Sequence, residues 1–415
     1  GYNALNLATT SAFNVAVGYQ ALDSITTSFG YNTAVGYQTL SAATAGYGNT
    51  ALGHTALSGL ISGNSNTAIG RGAGSSVTGS SCVIIGHDAG RLAGSGSVAI
   101  GADSLTSLSL ATSAVAVGQN TLKTLTTGTN NTAVGQDGLI VATTGANNTS
   151  LGKGAGYKVT TGSGNTMIGS GAGDAAGPAT TNYNTFVGYQ SGRFTPGANN
   201  TLIGYKAGYG VSGSTTTAAE YMVAVGDNAL TGITTGTENT AVGRNAGFAT
   251  TSGYRNTYLG HGAGDALTTG SNNTILGHGS DASSATVSNE ITLGNASIST
   301  LRCQVTSITA LSDRRDKKDI VPLELGLDFV NSLNPVKFTW NTRDGAKVGQ
   351  QEAGFIAQEL DEAQIAAGAE TYLDIVLKEN LDKLEAAPGK LIPVLVKAIQ
   401  DLSAEVATLK EKING

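Results

Sequence analysis

Asn32-Thr33-Ala34-Val35-Gly36, followed seventeen residues on by Asn49-Thr50-Ala51-Leu52-Gly53 and again by Asn66-Thr67-Ala68-Ile69-Gly70, decides how this chain is read. Variants of these five residues return about every seventeen positions, with their glycines running from Gly18 to Gly294. So short a unit cannot bury a face alone, so the pattern predicts units that stack and make a core between them. The residue three before each glycine is β-branched (Val15, Thr33, Thr50) and the residue one before is aliphatic (Val17, Val35, Leu52). Alternate residues of a strand share a face. These two slots are therefore expected to point into the core, with Ala16, Ala34, Ala51 and Ala68 between them lying against a neighbouring coil or chain. The Asn four before glycine is expected at a left-handed corner and in stacked amide ladders, with Gly at the opposite corner. The expected fold class is mainly β: a repetitive β-solenoid or β-roll fibre, then a small α/β domain ending in a coiled-coil helix.

A boundary divides the charge. Of 415 residues only 13% are charged, and the net charge of -6 excludes a basic nucleic-acid binder. Residues 312–415 nevertheless hold 13 of the 23 Lys+Arg and 18 of the 29 Asp+Glu. The expected organisation is a repetitive fibre over 1–298, a connecting segment over 299–311 and a second domain over 312–415. Cys82 and Cys303 stand in unrelated contexts, so packing rather than a disulfide framework must hold the fold. No apolar run reaches the ~18 residues of a membrane span, and no cleavable signal opens the chain. The sequence begins inside a repeat at Gly1-Tyr2-Asn3, so a further N-terminal attachment region is expected.

Several features of the repeat tempt a functional reading. Gly70-Arg71-Gly72-Ala73-Gly74 resembles a phosphate loop, but no helical period follows it, and its glycines are expected to be corners. His54, His87, His261 and His278 all follow the repeat glycine directly, which predicts one exposed position rather than a ligand cluster. Tyr19, Tyr37, Tyr189 and Tyr205 share that slot and could form a carbohydrate-binding row, although a solvated face explains them as well. Asp88, Asp103, Asp137, Asp174, Asp227 and Asp265 are read as falling in different slots and coils, so no facing carboxylate pair of a glycosidase is expected. No metal and no cofactor is expected.

The last hundred residues have ordinary α/β periodicity: a short helix within Leu323 to Leu333, a strand from Pro335 to Trp340, a second over Ala353 to Ile356 and a helix from Ala357 to Ala367. In the tail, Ile392, Leu395, Ile399, Leu402, Val406, Leu409 and Ile413 alternate spacings of three and four, the a/d seam of a coiled coil over about 388–413. So short a seam needs a partner, either the same helix of sister chains or the body of its own domain.

Two resemblances follow. The repeat resembles the β-roll heads of trimeric autotransporter adhesins and the repetitive shafts of phage tail fibres. Ser312-Asp313-Arg314-Arg315-Asp316-Lys317-Lys318-Asp319-Ile320, Leu333-Asn334-Pro335-Val336-Lys337-Phe338-Thr339-Trp340, Gly354-Phe355-Ile356-Ala357-Gln358-Glu359-Leu360 and Leu391-Ile392-Pro393-Val394-Leu395-Val396-Lys397-Ala398-Ile399-Gln400 follow, in order, the signature of the endosialidase-type intramolecular chaperone. Asp316 stands where that pattern commonly has an apolar residue, and Asp319 where it commonly has Asn.

The resemblance implies a trimeric phage fibre whose C-terminal domain templates folding and then cuts itself off between Leu311 and Ser312. Ser312 would be the nucleophile and Lys317 the base, in a single-turnover serine-lysine self-cleavage. Asp313, Arg315 and Lys318 would support them, with Arg314, Arg315 and Lys318 as the cations that favour a neutral lysine. Five residues apart on an ideal helix, the two side chains diverge, so a turn or a sister chain's lysine must join them. The implied partners are two further copies of the chain, a host cell-surface receptor with glycans among the candidates, and other tail proteins through the N-terminal region. Nucleic acid and membrane are not among them. The implied location is the virion tail, after assembly in the host cytoplasm. Competing readings are a trimeric surface adhesin and a glycan-degrading tailspike.

Overall fold

The computed structural model describes residues 1–415 except 9, 11, 27–29, 108–111, 175–179, 196, 212–218, 303, 305–311, 344–346, 379 and 415. Leu311 and Cys303 therefore lie outside the described residues. Contacts divide the chain into two compact units, Gly1–Leu293 and Gly294–Gly415.

In the first unit the five-residue pattern becomes seventeen three-residue strands, β1 (Val15–Val17) to β17 (Ile291–Leu293). They form one parallel sheet in which each strand pairs with its neighbours in sequence, in equivalent register: Thr33 faces Thr50, and Val35 faces Leu52. This is a parallel β-solenoid, one coil per repeat.

Its inside and outside are the reverse of the expectation. From β2 (Thr33–Val35) to β16 (Thr274–Leu276) the middle residue is buried, while the β-branched and aliphatic residues flanking it face outwards and are at least partly exposed. The reason is volume. The interior is narrow and is filled mainly from the turns: the leucines four after glycine (Leu22, Leu40, Leu57, Leu122, Leu139) are fully buried. The small middle Ala makes room for them.

That slot explains itself further. Its residues have φ near +50°, as at Leu57 and Leu139, a conformation that favours glycine. Leucine takes the slot where the middle residues of its own strand and the next are small, and glycine takes it at Gly74, Gly90, Gly247 and Gly264, where one of the two is large. An added Cβ at Gly247 or Gly264 would come within 2.8 or 2.3 Å of the Tyr258 ring, and one at Gly192 within 2.8 Å of Phe186. Tyr258 is fully buried, and its hydroxyl lies 2.9 Å from Thr250 Oγ1. Tyr258→Ala should cost about 3–5 kcal/mol, because flanking glycines cannot refill the cavity. Tyr258→Phe should cost about 1 kcal/mol, for one hydrogen bond. Thermal melting of the two variants checks the order.

The Asn slot forms the expected ladder, but the left-handed corner lies one residue earlier, at Tyr31, Asn130 and Arg255 (φ 59°, 57° and 58°). Asn49 is typical: its backbone N–H and Nδ2 donate to Asn32 Oδ1 at 3.0 and 3.1 Å, and Nδ2 also donates to the Gly63 carbonyl at 2.9 Å. The side chain is fully buried, so these bonds satisfy groups that water cannot reach. The ladder lapses after Asn66, where Cys82, Ser97 and Ala114 hold the slot, resumes at Asn131, and is interrupted once more at Met222. Its last member is Glu290, whose N–H donates to Asn273 Oδ1 while its carboxylate accepts from Ser283 and Thr292.

The second unit is small. A 3₁₀ turn (Arg314–Asp316) precedes α1 (Leu327–Ser332), the antiparallel pair β18 (Val336–Thr339) and β19 (Gln351–Gly354), α2 (Ala357–Ala366) and α3 (Glu370–Leu373). A two-residue ladder of β20 (Val376–Leu377) with β21 (Glu385–Ala386), a second 3₁₀ turn (Pro388–Leu391) and α4 (Ile392–Asn414) complete it. The sequence missed α3 and the β20–β21 ladder, which are too short to carry a period. Leu325, Phe329, Leu360, Leu373, Ile375, Val376, Leu391 and Val394 form the core. Asp401 fixes α4 to α1 by accepting from the Leu327 N–H at 3.4 Å and pairing with Lys397. Among the described residues no helix is long and apolar enough to cross a membrane.

Candidate active site

The four residues between Ser312 and Lys317 do not form an ideal helix. Asp313 caps the 3₁₀ turn: its carboxylate accepts from the Arg315 N–H at 2.8 Å and pairs with the Arg315 guanidinium at 2.6 Å. The turn closes with Lys317 N–H donating to the Arg314 carbonyl at 3.2 Å, after which Lys317 is extended. This reversal carries the Lys317 side chain back over the turn, and Nζ donates to Ser312 Oγ at 2.7 Å. The two candidate reacting groups are thus brought together within one chain. Both residues are exposed.

The charges around them are arranged differently from the expectation. Arg315 is matched by Asp313, and Lys318 stands 3.9 Å from Asp319, so neither is an uncompensated cation. Arg314 makes no ion pair among the described residues, and Asp316 makes none either. The Arg315 bonds hold the Asp313 carboxyl below the usual carboxylate range. That contribution to the turn is fully present above the ordinary carboxylate range and is lost as pH falls through the lowered value. Asp319 has φ +55°, where Asn is better tolerated than most residues, which accounts physically for Asn at that place in the related pattern. Asp313's role as a helix cap was legible in principle, since Asp before a turn is a cap signal.

The helix seam is on the surface of its own unit. α4 packs on the domain through Val394 and Ala398, whereas Ile392, Leu395, Ile399, Leu402, Val406, Leu409 and Ile413 are between 41% and 81% exposed. The body of the domain therefore does not cover the seam.

In the solenoid the four histidines are exposed, as their common slot predicts. Tyr2, Tyr19, Tyr37 and His54 stack ring on ring with centroids 4.9–5.6 Å apart, which covers ring faces and leaves mainly edges outward. One reading is corrected: Asp88, Asp103 and Asp137 share a slot, each lying two residues after a repeat glycine, and the sheet register stacks the first two on neighbouring coils. With His87 those two offer three ligand atoms within 4.8 Å of one another. Counting from the glycine instead of along the chain would have shown it.

Residues 312–369 match the family model described as the chaperone of endosialidase, so the match begins at Ser312 and ends before α3. Searches of curated proteins and of solved structures gave no match. With that domain following a β-solenoid of about seventeen-residue repeats, the chain fits a tail fibre that carries a C-terminal chaperone.

Proposed function

We propose that this chain is a virion host-attachment fibre that assembles as a trimer and then severs its chaperone domain between Leu311 and Ser312. The observation that carries the reading is the hydrogen bond from Lys317 Nζ to Ser312 Oγ at 2.7 Å. With the amine neutral the bond reverses, and the hydroxyl donates to Nζ. Ser312 Oγ then attacks the Leu311 carbonyl carbon while its proton passes to Nζ. The adduct collapses by breaking the C–N bond, with the proton delivered from Nζ to the departing amide nitrogen, and Leu311 becomes an ester on Oγ. Water cleaves the ester, giving the Leu311 carboxylate and restoring the Ser312 hydroxyl beside a new α-amine.

A lysine in water keeps its proton at neutral pH. The pair is therefore competent only when something excludes water from it, and a sister chain is the natural cover. Trimerisation also covers two exposed apolar faces at once: the α4 seam, and the outer face of the parallel sheet with Val17, Leu52, Leu151 and Leu259. Parallel sheets are almost always covered on both sides. A separately folding trimer would also fix the register of near-identical repeats, which the repeats themselves specify weakly.

The test is the intact mass of freshly expressed protein, with native mass spectrometry on the same sample. Two fragments meeting at Leu311-Ser312, from a trimeric parent, are expected. A chain that stays whole while folded and trimeric would reduce the domain to a non-cleaving assembly cap.

A further inference from the structure

We propose that His87, Asp88 and Asp103 form a binding site for one divalent transition-metal ion, of which Zn²⁺ is the probe, and that the ion staples the coils of β5 (Val83–Ile85) and β6 (Val98–Ile100). The three side chains place a ligand atom each within 4.8 Å of the others, and one imidazole nitrogen with two carboxylates is a donor set that suits such ions. They come from two consecutive coils whose strands pair in register, Val83 with Val98 and Ile85 with Ile100, so the backbone brings the three side chains together. The remaining positions are open to water, since His87 is exposed and both carboxylates are part-exposed.

Two carboxylates stacked on successive coils repel each other unless a cation lies between or beside them. In the structure side chains supply that charge. Arg71 lies 3.7 Å from Asp88 and also contacts His87, and Lys123 lies 3.5 Å from Asp103. Arg71 is more than half exposed and can swing out, leaving His87 and Asp88 to an ion. The place is also where the fold lacks its usual coil-to-coil tie. Cys82 and Ser97 occupy the Asn slot of these two coils, and the glycine interval from Gly86 to Gly101 is only fifteen residues. An ion bridging Asp88 and Asp103 would restore a link across that interval.

The experiment is calorimetric titration of ZnCl₂ into the chelator-treated full chain, untagged, for wild type and four variants. Wild type should bind one Zn²⁺ per chain. His87→Ala and Asp103→Asn should each weaken binding by at least ~10-fold, and Asn keeps the left-handed backbone at 103 (φ +56°) unstrained. Arg71→Gln should tighten it, because a competing cation is removed. His278→Ala, at the stacked His261 and His278 rings, should leave it unchanged. Failure of wild type to bind overturns the proposal whatever Arg71→Gln does. So does binding that survives His87→Ala, or that weakens in Arg71→Gln. Melting curves without metal, matching wild type, show that each variant is folded.

Discussion

Replacing Lys317 by alanine should leave the chain whole when the parent has split completely, a slowing of about 10²–10⁴-fold for loss of a general base. The decisive companion is Lys317→Arg. Arginine keeps the positive charge and can still donate to Ser312 Oγ, so it would rescue a lysine that merely braces the turn. It cannot give up its proton near neutral pH, so it would not rescue a base. Ser312→Ala should be silent altogether, because no other atom at that position can form the ester. Quenched time courses read by intact mass measure all three variants beside the parent. Cleavage by Lys317→Arg at the parental rate would remove Lys317 from the chemistry and leave it a positioning residue.

Putting aspartate at both Ile399 and Leu402 should convert the proposed trimer to monomer in light scattering at micromolar concentration. Each side chain buried in a seam contributes about 1.5–3 kcal/mol, and the change removes six of them from a trimer and puts six carboxylates in their place. In the single chain Ile399 and Leu402 are 67% and 48% exposed, so the double variant's own domain should remain folded. Gln400→Asp, exposed and off the seam, is the matched control and should stay trimeric. If assembly is what shields the Ser312–Lys317 pair from water, the double variant should also fail to cleave. Cleavage by a proven monomer would separate the chemistry from assembly.

The period, the strand positions and the α4 seam were legible because each is a regular signal: a glycine every seventeen residues, and apolar residues at spacings of three and four. What the alternation could not reveal was which side is inside. Val35 and Leu52 are larger and more apolar than Ala34 and Ala51, and hydrophobicity alone assigns them to the core. The coil is too narrow for that, and Leu40 and Leu57 enter it from the turns instead. The correlation that settles the matter was in the sequence all along, since glycine stands four after the repeat glycine in the coils whose middle residue is Ile84, Met167, Phe186, Leu202 or Tyr258. At the proposed cut site, the family resemblance gave the residues, and their spacing did not give their meeting. Five positions predict divergence on a helix, and only the Asp313 cap with its 3₁₀ turn folds Lys317 back to Ser312. Charge went wrong for the same reason: Arg315 reads as a free cation in sequence and is bound to Asp313 in space.

The sameness of the coil-to-coil bonds has an evolutionary consequence. Every internal coil offers its successor much the same strand partners, corner glycine and, in most coils, the same amide, so a whole unit can be duplicated or lost without creating a new kind of contact. Each such event would change the solenoid by about 4.8 Å. Reach thus becomes a heritable, stepwise trait that recombination between near-identical stretches can adjust, while Ser312, Lys317 and the α4 seam are left untouched.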